Sequence, residues 1–343
     1  MGRPGVPARF VKANCGTAQT LEPVSPLGCS SVDGSTGAVQ LHACVTPSSF
    51  CLSPRHALNI AGKFVLCQIA LYLVIRVVLA IWGALHHLPR GSHTDAGPAG
   101  VIVVLTLACF IVLWDELRRH RTPWRTLGIW HIEPVTLLAP FLLLVLGVGT
   151  LVSDGNNLLQ AVLPPPAWFT RSFSQLHDLA SHPISGPLAL VVIAPLTEEL
   201  IFRGLILRGL LARTSPWRAI VISALLFGLV HLNPWQIPFA FVAGLVFGWV
   251  YFRTGSLTLC MAGHALHNSI SLLATGLPFV IRGFNSTPPA GMVDFQPWWF
   301  DLTGVVLVLV GTAWFLRCAL PLAKPTEPPP LPAAASANPV ESL

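Results

Sequence analysis

The sequence has few charged residues for its length. Charged side chains make up 10% of the 343 residues, while hydrophobic side chains make up 53%. Soluble domains carry roughly 25% charged residues, so the composition excludes an ordinary soluble enzyme and indicates an integral protein of the lipid bilayer. The net charge of +6 does not indicate a nucleic-acid partner, because the arginines lie in short loops between apolar segments.

Several familiar patterns are also missing. The eight cysteines include no Cys-x-x-Cys pair and no metal-finger spacing, which argues against a disulfide framework. Residues 1–60 have no continuous apolar core after their early basic residues, so they do not predict a secretory signal peptide. We find no internal repeat or matched pair of broken helices, the usual signs of a transporter. A transporter that uses intramembrane charges is therefore the weakest of the three functions considered below.

Hydropathy predicts an all-α integral membrane protein, a bundle of about eight transmembrane helices. The predicted spans are roughly 62–85, 99–115, 133–153, 187–211, 217–233, 237–252, 256–276 and 302–321. They divide the chain into a disordered or loosely ordered extension (1–60), three spans with an interfacial loop (61–186), a core (187–276), a loop with the last span (277–321) and a disordered Pro/Ala-rich tail (322–343).

The basic residues predict the orientation of these spans. Lysine and arginine concentrate before span one, after spans two, four and six, and in the tail. Because loops rich in lysine and arginine stay in the cytoplasm, both termini are predicted to be cytoplasmic. This alternation agrees with an even number of spans.

The fourth predicted span contains an unusual group of charges. Glu198, Glu199 and Arg203 lie in an otherwise apolar segment, where each charge costs roughly 2.5–3.5 kcal/mol on insertion scales. On a helix, Glu199 and Arg203 are i,i+4 neighbours in the favourable acid-before-base order. Glu198 is turned about 100° away. The spacing predicts that Arg203 anchors Glu199 and leaves Glu198 for chemistry, with a purely structural ion cluster as the alternative.

Two later spans also contain polar pairs at helical spacing. Phe227 and His231 are i,i+4 neighbours at the end of span five, and His264 and Asn268 are i,i+4 neighbours inside span seven. A lone membrane histidine is more often a packing residue than a catalyst. Together with Glu198, however, these side chains come from three spans and predict one shared polar cavity.

Other polar residues are assigned no chemistry. His267 is turned away from the His264 face and is interpreted as a packing residue. Four further histidines fall in predicted loops, where we expect solvated imidazoles: His86, His87, His93 and His120. Asn233 is a candidate to cap a turn or line the entrance to the cavity.

The ordered set Glu-Glu-x-x-x-Arg, Phe-x-x-x-His and His-x-x-x-Asn resembles the CPBP (Abi) family of CAAX prenyl endopeptidases and bacteriocin-processing or immunity membrane proteins. The resemblance covers residues 187–276. It implies an intramembrane endopeptidase acting on a peptide or membrane-protein substrate, with Glu198 as general base, His231 on the same water, and His264 and Asn268 as oxyanion donors. The supporting residues are Glu199, Arg203 and Phe227.

Two alternatives stay open at this point. Glu198, His231 and His264 could instead hold zinc with an open position for water. The chain lacks the His-Glu-x-x-His signature of zinc proteases, which favours a metal-independent mechanism with no cofactor. A non-catalytic immunity or scaffold protein of the same fold is the second candidate function.

Overall fold

The computed structural model describes residues 51–87, 97–122, 127, 135–166, 182–274, 277–286, 288 and 292–319. These residues form eight helices and no strand, which confirms the predicted all-α fold. The helices are α1 (Pro54–Leu85), α2 (Gly97–Arg119), α3 (Leu138–Val162), α4 (185–211), α5 (Pro216–Leu229), α6 (Ile237–Thr254), α7 (Leu257–Ala274) and α8 (Trp298–Cys318). Most of the predicted extension and tail lies outside the described residues.

Five of the helices (α1, α2, α3, α6 and α8) are each long and apolar enough to cross a membrane. The α3 helix counts with the short 3-10 turn Val135–Leu137 that precedes it. With the low charge content of the sequence, these helices make the chain an integral membrane protein. The direction in which the termini face stays a prediction.

Several helix ends differ from the predicted spans. The α1 helix begins at Pro54, before the predicted start near 62, because Ser53 caps it by accepting a hydrogen bond from the His56 amide (3.2 Å) and Pro54 suits the first helical position. The α3 helix continues to Val162, well past the predicted end. The α5 helix ends at Leu229, so His231 follows the helix and does not lie within it.

The α4 helix departs from regular α geometry in two stretches. It has π-type hydrogen bonding over Leu188–Ile193 and again over Leu200–Leu207, and it is α-helical over Ser185–Pro187, Ala194–Glu199 and Arg208–Leu211. Backbone dihedrals at the junctions stay in the right-handed helical region, so the helix is continuous. Such π stretches are uncommon and occur often at functional sites.

Two pairs of helices approach each other closely through glycine. A Cβ atom added to Gly147 on α3 would lie 2.6 Å from the Gly304 carbonyl oxygen on α8. A Cβ on Gly244 of α6 would lie 2.9 Å from the Ala224 Cα on α5. Small residues of this kind let membrane helices pack backbone to backbone. Gly248, four residues after Gly244 on α6, lies close to Ile220 on α5 in the same way, so both glycines serve packing within the chain.

The α4 helix lies in the middle of the bundle and contacts α2, α5, α6 and α7. Every residue from 201 to 207 is buried. The surrounding core is largely aromatic, with the Phe202 and Phe227 rings edge to face at 5.2 Å. Because α4 is enclosed on several sides, the charges on it face protein rather than lipid.

Candidate active site

Glu199 is the centre of a buried polar network. Its side chain is fully buried, and its Oε1 atom accepts two hydrogen bonds of 2.8 Å, one from the Arg203 guanidinium and one from Nδ1 of His264. The first is the i,i+4 pair that the sequence predicts. The second joins α4 to α7 across 65 residues of sequence. These two bonds hold the Glu199 side chain in one rotamer, and its complete burial separates it from solvent.

Arg203 is held as firmly as its partner. Its side chain is 1% exposed, and its second terminal nitrogen donates to the Gly244 carbonyl at 3.3 Å. The guanidinium carbon lies 4.6 Å from the centre of the Phe227 ring and 5.4 Å from that of Phe247. Aromatic faces stabilise a desolvated cation by about 2 kcal/mol or more. Arg203 therefore ties α4 to α5 and α6.

Glu198 has a different environment from that of its neighbour. Its side chain is 16% exposed, and its Oε2 atom lies 3.9 Å from Nε2 of His264. That distance is too long for a hydrogen bond. The Oε2 atom is itself buried and, within the described part of the chain, has no hydrogen-bond partner, which is also true of Oε2 of Glu199. A buried carboxylate oxygen without a partner is costly. Because Glu198 is the partly exposed member of the pair, its carboxylate is the one that water or a substrate group can reach.

His231 lies just beyond the end of α5. Its Nδ1 atom donates to the Phe227 carbonyl at 2.8 Å, which requires a proton on Nδ1. In the neutral imidazole the Nε2 atom is then a hydrogen-bond acceptor. Among the described residues we find no hydrogen bond or ion pair that joins His231 directly to Glu198.

Phe227 links the two histidines of the predicted site. Its ring meets the His231 ring edge to face at 5.1 Å and the His264 ring edge to face at 5.6 Å. The His264 ring also stacks on Phe247 at 5.5 Å. These rings bring the end of α5 and the middle of α7 to the same side of α4.

The Asn268 side chain is bonded to the first π stretch of α4. Its amide donates to the Leu190 carbonyl at 2.8 Å. In π geometry the partner of Leu190 is residue 195, which is proline and has no N–H. Asn268 thus satisfies a carbonyl that Pro195 cannot. Since Leu190 precedes Glu198 by eight residues, or roughly 12 Å of helix, this bond is not at the carboxylate itself.

The alternative zinc set was Glu198, His231 and His264. A tetrahedral zinc ion with ligand bonds near 2.0–2.2 Å requires ligand atoms about 3.3–3.6 Å apart. The three side chains do not bring one ligand atom each within 4.8 Å of the others. The bond from His264 Nδ1 to Glu199 would leave Nε2 available to a metal ion, so the separation of the ligand atoms is the observation that decides. The residues do not fit a zinc ion as they are arranged, and no step below passes through one.

A second polar cluster lies where α1 and α2 meet, and sequence reasoning did not identify it. Glu116 is fully buried and accepts from Lys63 at 2.6 Å and from Nε2 of His56 at 2.8 Å, while Nε2 of His120 lies 3.8 Å away. The prediction that His120 is solvated was wrong, because its ring packs against that of His56 at 5.6 Å. We call these residues, with Asp115 and Arg119, the α1–α2 cluster.

Asn233 caps a turn, which is the first of the two roles considered for it in the sequence. Its Oδ1 atom accepts from the amides of Trp235 (3.0 Å) and Gln236 (3.3 Å). This cap stabilises the tight connection that carries the chain from α5 to α6. The structure does not bring Asn233 into the polar network around Glu199.

The motif helices match a known family. A family model described as Type II CAAX prenyl endopeptidase Rce1-like matches residues 180–270. This match supports the resemblance to the CPBP family that the three motifs indicate. The matched segment begins just before α4 and ends within α7, so it contains every residue of the three motifs and every helix that contributes to the site.

Two relatives are similar to this chain over more than residues 180–270. CAAX prenyl protease 2 of Rattus norvegicus is 28% identical over 196 residues, which are 52% of this chain and 60% of the relative. CAAX prenyl protease 2 of Homo sapiens is 25% identical over 251 residues, 62% of this chain and 73% of the relative. No solved structure gives a significant match. The chain thus spans less than two thirds of the rat relative's length.

Proposed function

We propose that the chain is an intramembrane endopeptidase that hydrolyses a peptide bond near the bilayer, with Glu198 as the general base. The observation that carries the proposal is that the two adjacent carboxylates have different surroundings. Glu199 is fully buried and its Oε1 atom is held by Arg203 and His264, whereas Glu198 is 16% exposed and, within the described part of the chain, makes only a 3.9 Å ion-pair contact with His264.

In the proposed reaction, water binds at Glu198 and gives a proton to its carboxylate. His231 assists through Nε2, because Nδ1 is already committed to the Phe227 carbonyl. The water oxygen then attacks the substrate carbonyl carbon. General-base catalysis of this kind contributes typically 10²–10⁴-fold to the rate. In the second half of the reaction the proton on Glu198 passes to the leaving amine.

The tetrahedral intermediate needs donors for its oxyanion. His264 donates from Nδ1 to Glu199, so its Nε2 atom is a donor only when the ring is protonated. A protonated His264 would balance the site, since it and Arg203 would offset Glu198 and Glu199. Asn268 is the second predicted donor, but one N–H of its amide binds the Leu190 carbonyl, roughly 12 Å along α4 from Glu198, so it reaches the oxyanion only if its side chain reorients. Loss of one oxyanion donor typically costs about 10²–10³ in kcat.

The substrate that this chemistry suits is a peptide or the tail of a membrane protein, presented from the lipid bilayer. The two mammalian relatives carry the name CAAX prenyl protease 2, so a lipid-modified C-terminal peptide is the first substrate class to test. We propose that both termini face the cytoplasm, with Arg118 and Arg119 at the cytoplasmic end of α2.

The decisive experiment compares protein termini by mass spectrometry in membranes from cells with wild type, Glu198→Ala or no copy of the gene. Termini present in wild type and missing from both other samples are expected, and they would identify the substrate. Asp294→Asn is the matched control, because it removes a loop carboxylate outside the site and should leave those termini unchanged. If Glu198→Ala gives the wild-type termini, the catalytic proposal is wrong and a scaffold role takes its place.

A further inference from the structure

The α1–α2 cluster contains a set of metal-ligand atoms that the proposed reaction does not use. One ligand atom each from His56, Glu116 and His120 lies within 4.8 Å of the other two. Glu116 and His120 are i,i+4 neighbours and His56 faces them from α1. Two imidazoles and one carboxylate are a donor set suited to zinc and related divalent ions.

Hydrogen bonding explains only part of this arrangement. Glu116 Oε2 accepts from His56 at 2.8 Å, which is an ordinary hydrogen bond. The distance from the same oxygen to Nε2 of His120 is 3.8 Å, which is too long for a hydrogen bond. The Oε2 atom therefore faces two imidazole nitrogens from two helices.

We propose that His56, Glu116 and His120 bind a divalent transition-metal ion, zinc being the reference case. A tetrahedral ion requires ligand atoms about 3.3–3.6 Å apart. The observed 2.8 Å and 3.8 Å contacts bracket that value. The fourth position would be held by water, because three protein ligands are typical of an open site.

Burial favours a specific site over loose surface binding. The Glu116 side chain is fully buried, while those of His56 and His120 are 36% and 25% exposed. The carboxylate is therefore held within the protein, and the imidazoles line a path from the surface to it. Neutral imidazole is the form that binds a metal ion, so no ligand other than Glu116 needs to carry charge.

The charged neighbours limit the affinity but do not block the site. Lys63 binds the other carboxylate oxygen of Glu116, and it also binds Asp115 at 2.9 Å, as Arg119 does at 2.6 Å. The two basic and two acidic side chains balance, which leaves the region neutral before an ion binds. Lys63 and a metal ion would use different oxygens of Glu116. The repulsion between them favours a site that exchanges its ion over one that is permanently filled.

An ion at this position would clamp α1 to α2. The α2 helix also contacts α4, and Cys109 on α2 donates from its thiol to the Thr197 carbonyl at 3.6 Å, next to Glu198. A clamp on α2 would therefore rigidify the support of the catalytic helix without contact with the substrate. The proposal does not depend on the chain being a protease.

The test uses the full-length protein in detergent, stripped with EDTA, and titrates it with Zn²⁺ by calorimetry and with Co²⁺ by visible absorption. Wild type and Glu198→Ala are expected to bind one ion at this site with equal affinity, with the visible bands of a tetrahedral cobalt site. His56→Ala and His120→Ala are expected to weaken binding at least about tenfold, by comparison with outer-shell changes that cost 10–100-fold. His86→Ala, an exposed histidine at the end of α1, is the matched control.

Each outcome bears on the proposal. It is overturned if wild type shows no saturable binding, or if folded His56→Ala and His120→Ala bind as wild type does. His56→Asn keeps a donor for Glu116 but lacks an imidazole, so it provides the test if the alanine variants do not fold. Binding that is lost in Glu198→Ala and kept in both histidine variants would move the ion to the catalytic site and also refute the proposal.

Discussion

The buried pair of Glu199 and Arg203 allows a quantitative prediction. Both side chains are at most 1% exposed and their contact is 2.8 Å. Removing one member of a buried ion pair costs about 3–5 kcal/mol, because the remaining charge is left without compensation. We therefore expect Glu199→Leu and Arg203→Met each to lower the free energy of unfolding by about that amount.

The double variant Glu199→Leu/Arg203→Met should be far more stable than the sum of the two losses suggests. Replacing a buried ion pair by apolar side chains is often close to neutral. One cost remains, because Nδ1 of His264 loses its hydrogen-bond acceptor. This loss lowers the free energy of unfolding by about 1–3 kcal/mol. The double variant is expected to lose only about that amount, yet to lose catalytic activity, because His264 is no longer oriented.

The measurement is a double-mutant cycle of equilibrium unfolding in mixed micelles, combined with a cleavage assay. Arg213→Met is the control, since Arg213 is exposed just beyond α4 and such changes usually stay within about 0.5 kcal/mol. If the two single losses simply add in the double variant, the side chains do not stabilise each other. The account of Arg203 as the partner of Glu199 would then be refuted.

Three other predictions test the surroundings of the site. Asn268→Leu should cost about 1–3 kcal/mol because the Leu190 carbonyl loses its donor, and Pro195→Ala should reduce that cost by restoring an N–H; equal costs in both backgrounds would exclude the proline explanation. Gly244→Ala should destabilise the α5–α6 contact by about 1–3 kcal/mol, whereas Gly62→Ala, at a position with open space around it, should not. Hydrogen bonds from Arg282 and Ser286 lower the pKa of Asp294 below its ordinary 3.8, so they hold the loop above pH 3.8 and are lost as pH falls through the lower folded value. Limited proteolysis of this loop should increase only in that acidic range, and Asp294→Asn should remove the dependence; an increase near neutral pH would contradict the assignment.

Local spacing was sufficient to predict the helices and the first contact of the site. The long apolar runs identified the spans, and the i,i+4 rule identified the pair of Glu199 and Arg203. These inferences succeed because a membrane helix satisfies its own backbone, so that its side-chain neighbours follow from the sequence. The contact of His264 with Glu199 has no such local signal, since it depends on how α7 packs against α4.

The α1–α2 cluster was missed for a related reason. Hydropathy treats histidine and charged residues near the end of an apolar run as loop residues, and His120 was interpreted in that way. In the structure, Lys63 and His56 on α1 face Glu116 on α2, so the polar groups compensate one another between helices. The Asp-Glu-x-x-Arg-His sequence at the end of α2 was the available signal.

The structure also gives a reason why two adjacent carboxylates are present. A single glutamate beside Arg203 would be neutralised and held by it, as Glu199 is, and would have little capacity left to accept a proton from water. Because consecutive residues on a helix point about 100° apart, the second carboxylate lies off the arginine face and reaches toward Nε2 of His264 from the other side. His264 then contacts one carboxylate through each nitrogen. In the proposed mechanism, Glu199 therefore holds the site together and Glu198 accepts the proton, two roles that one carboxylate could not combine.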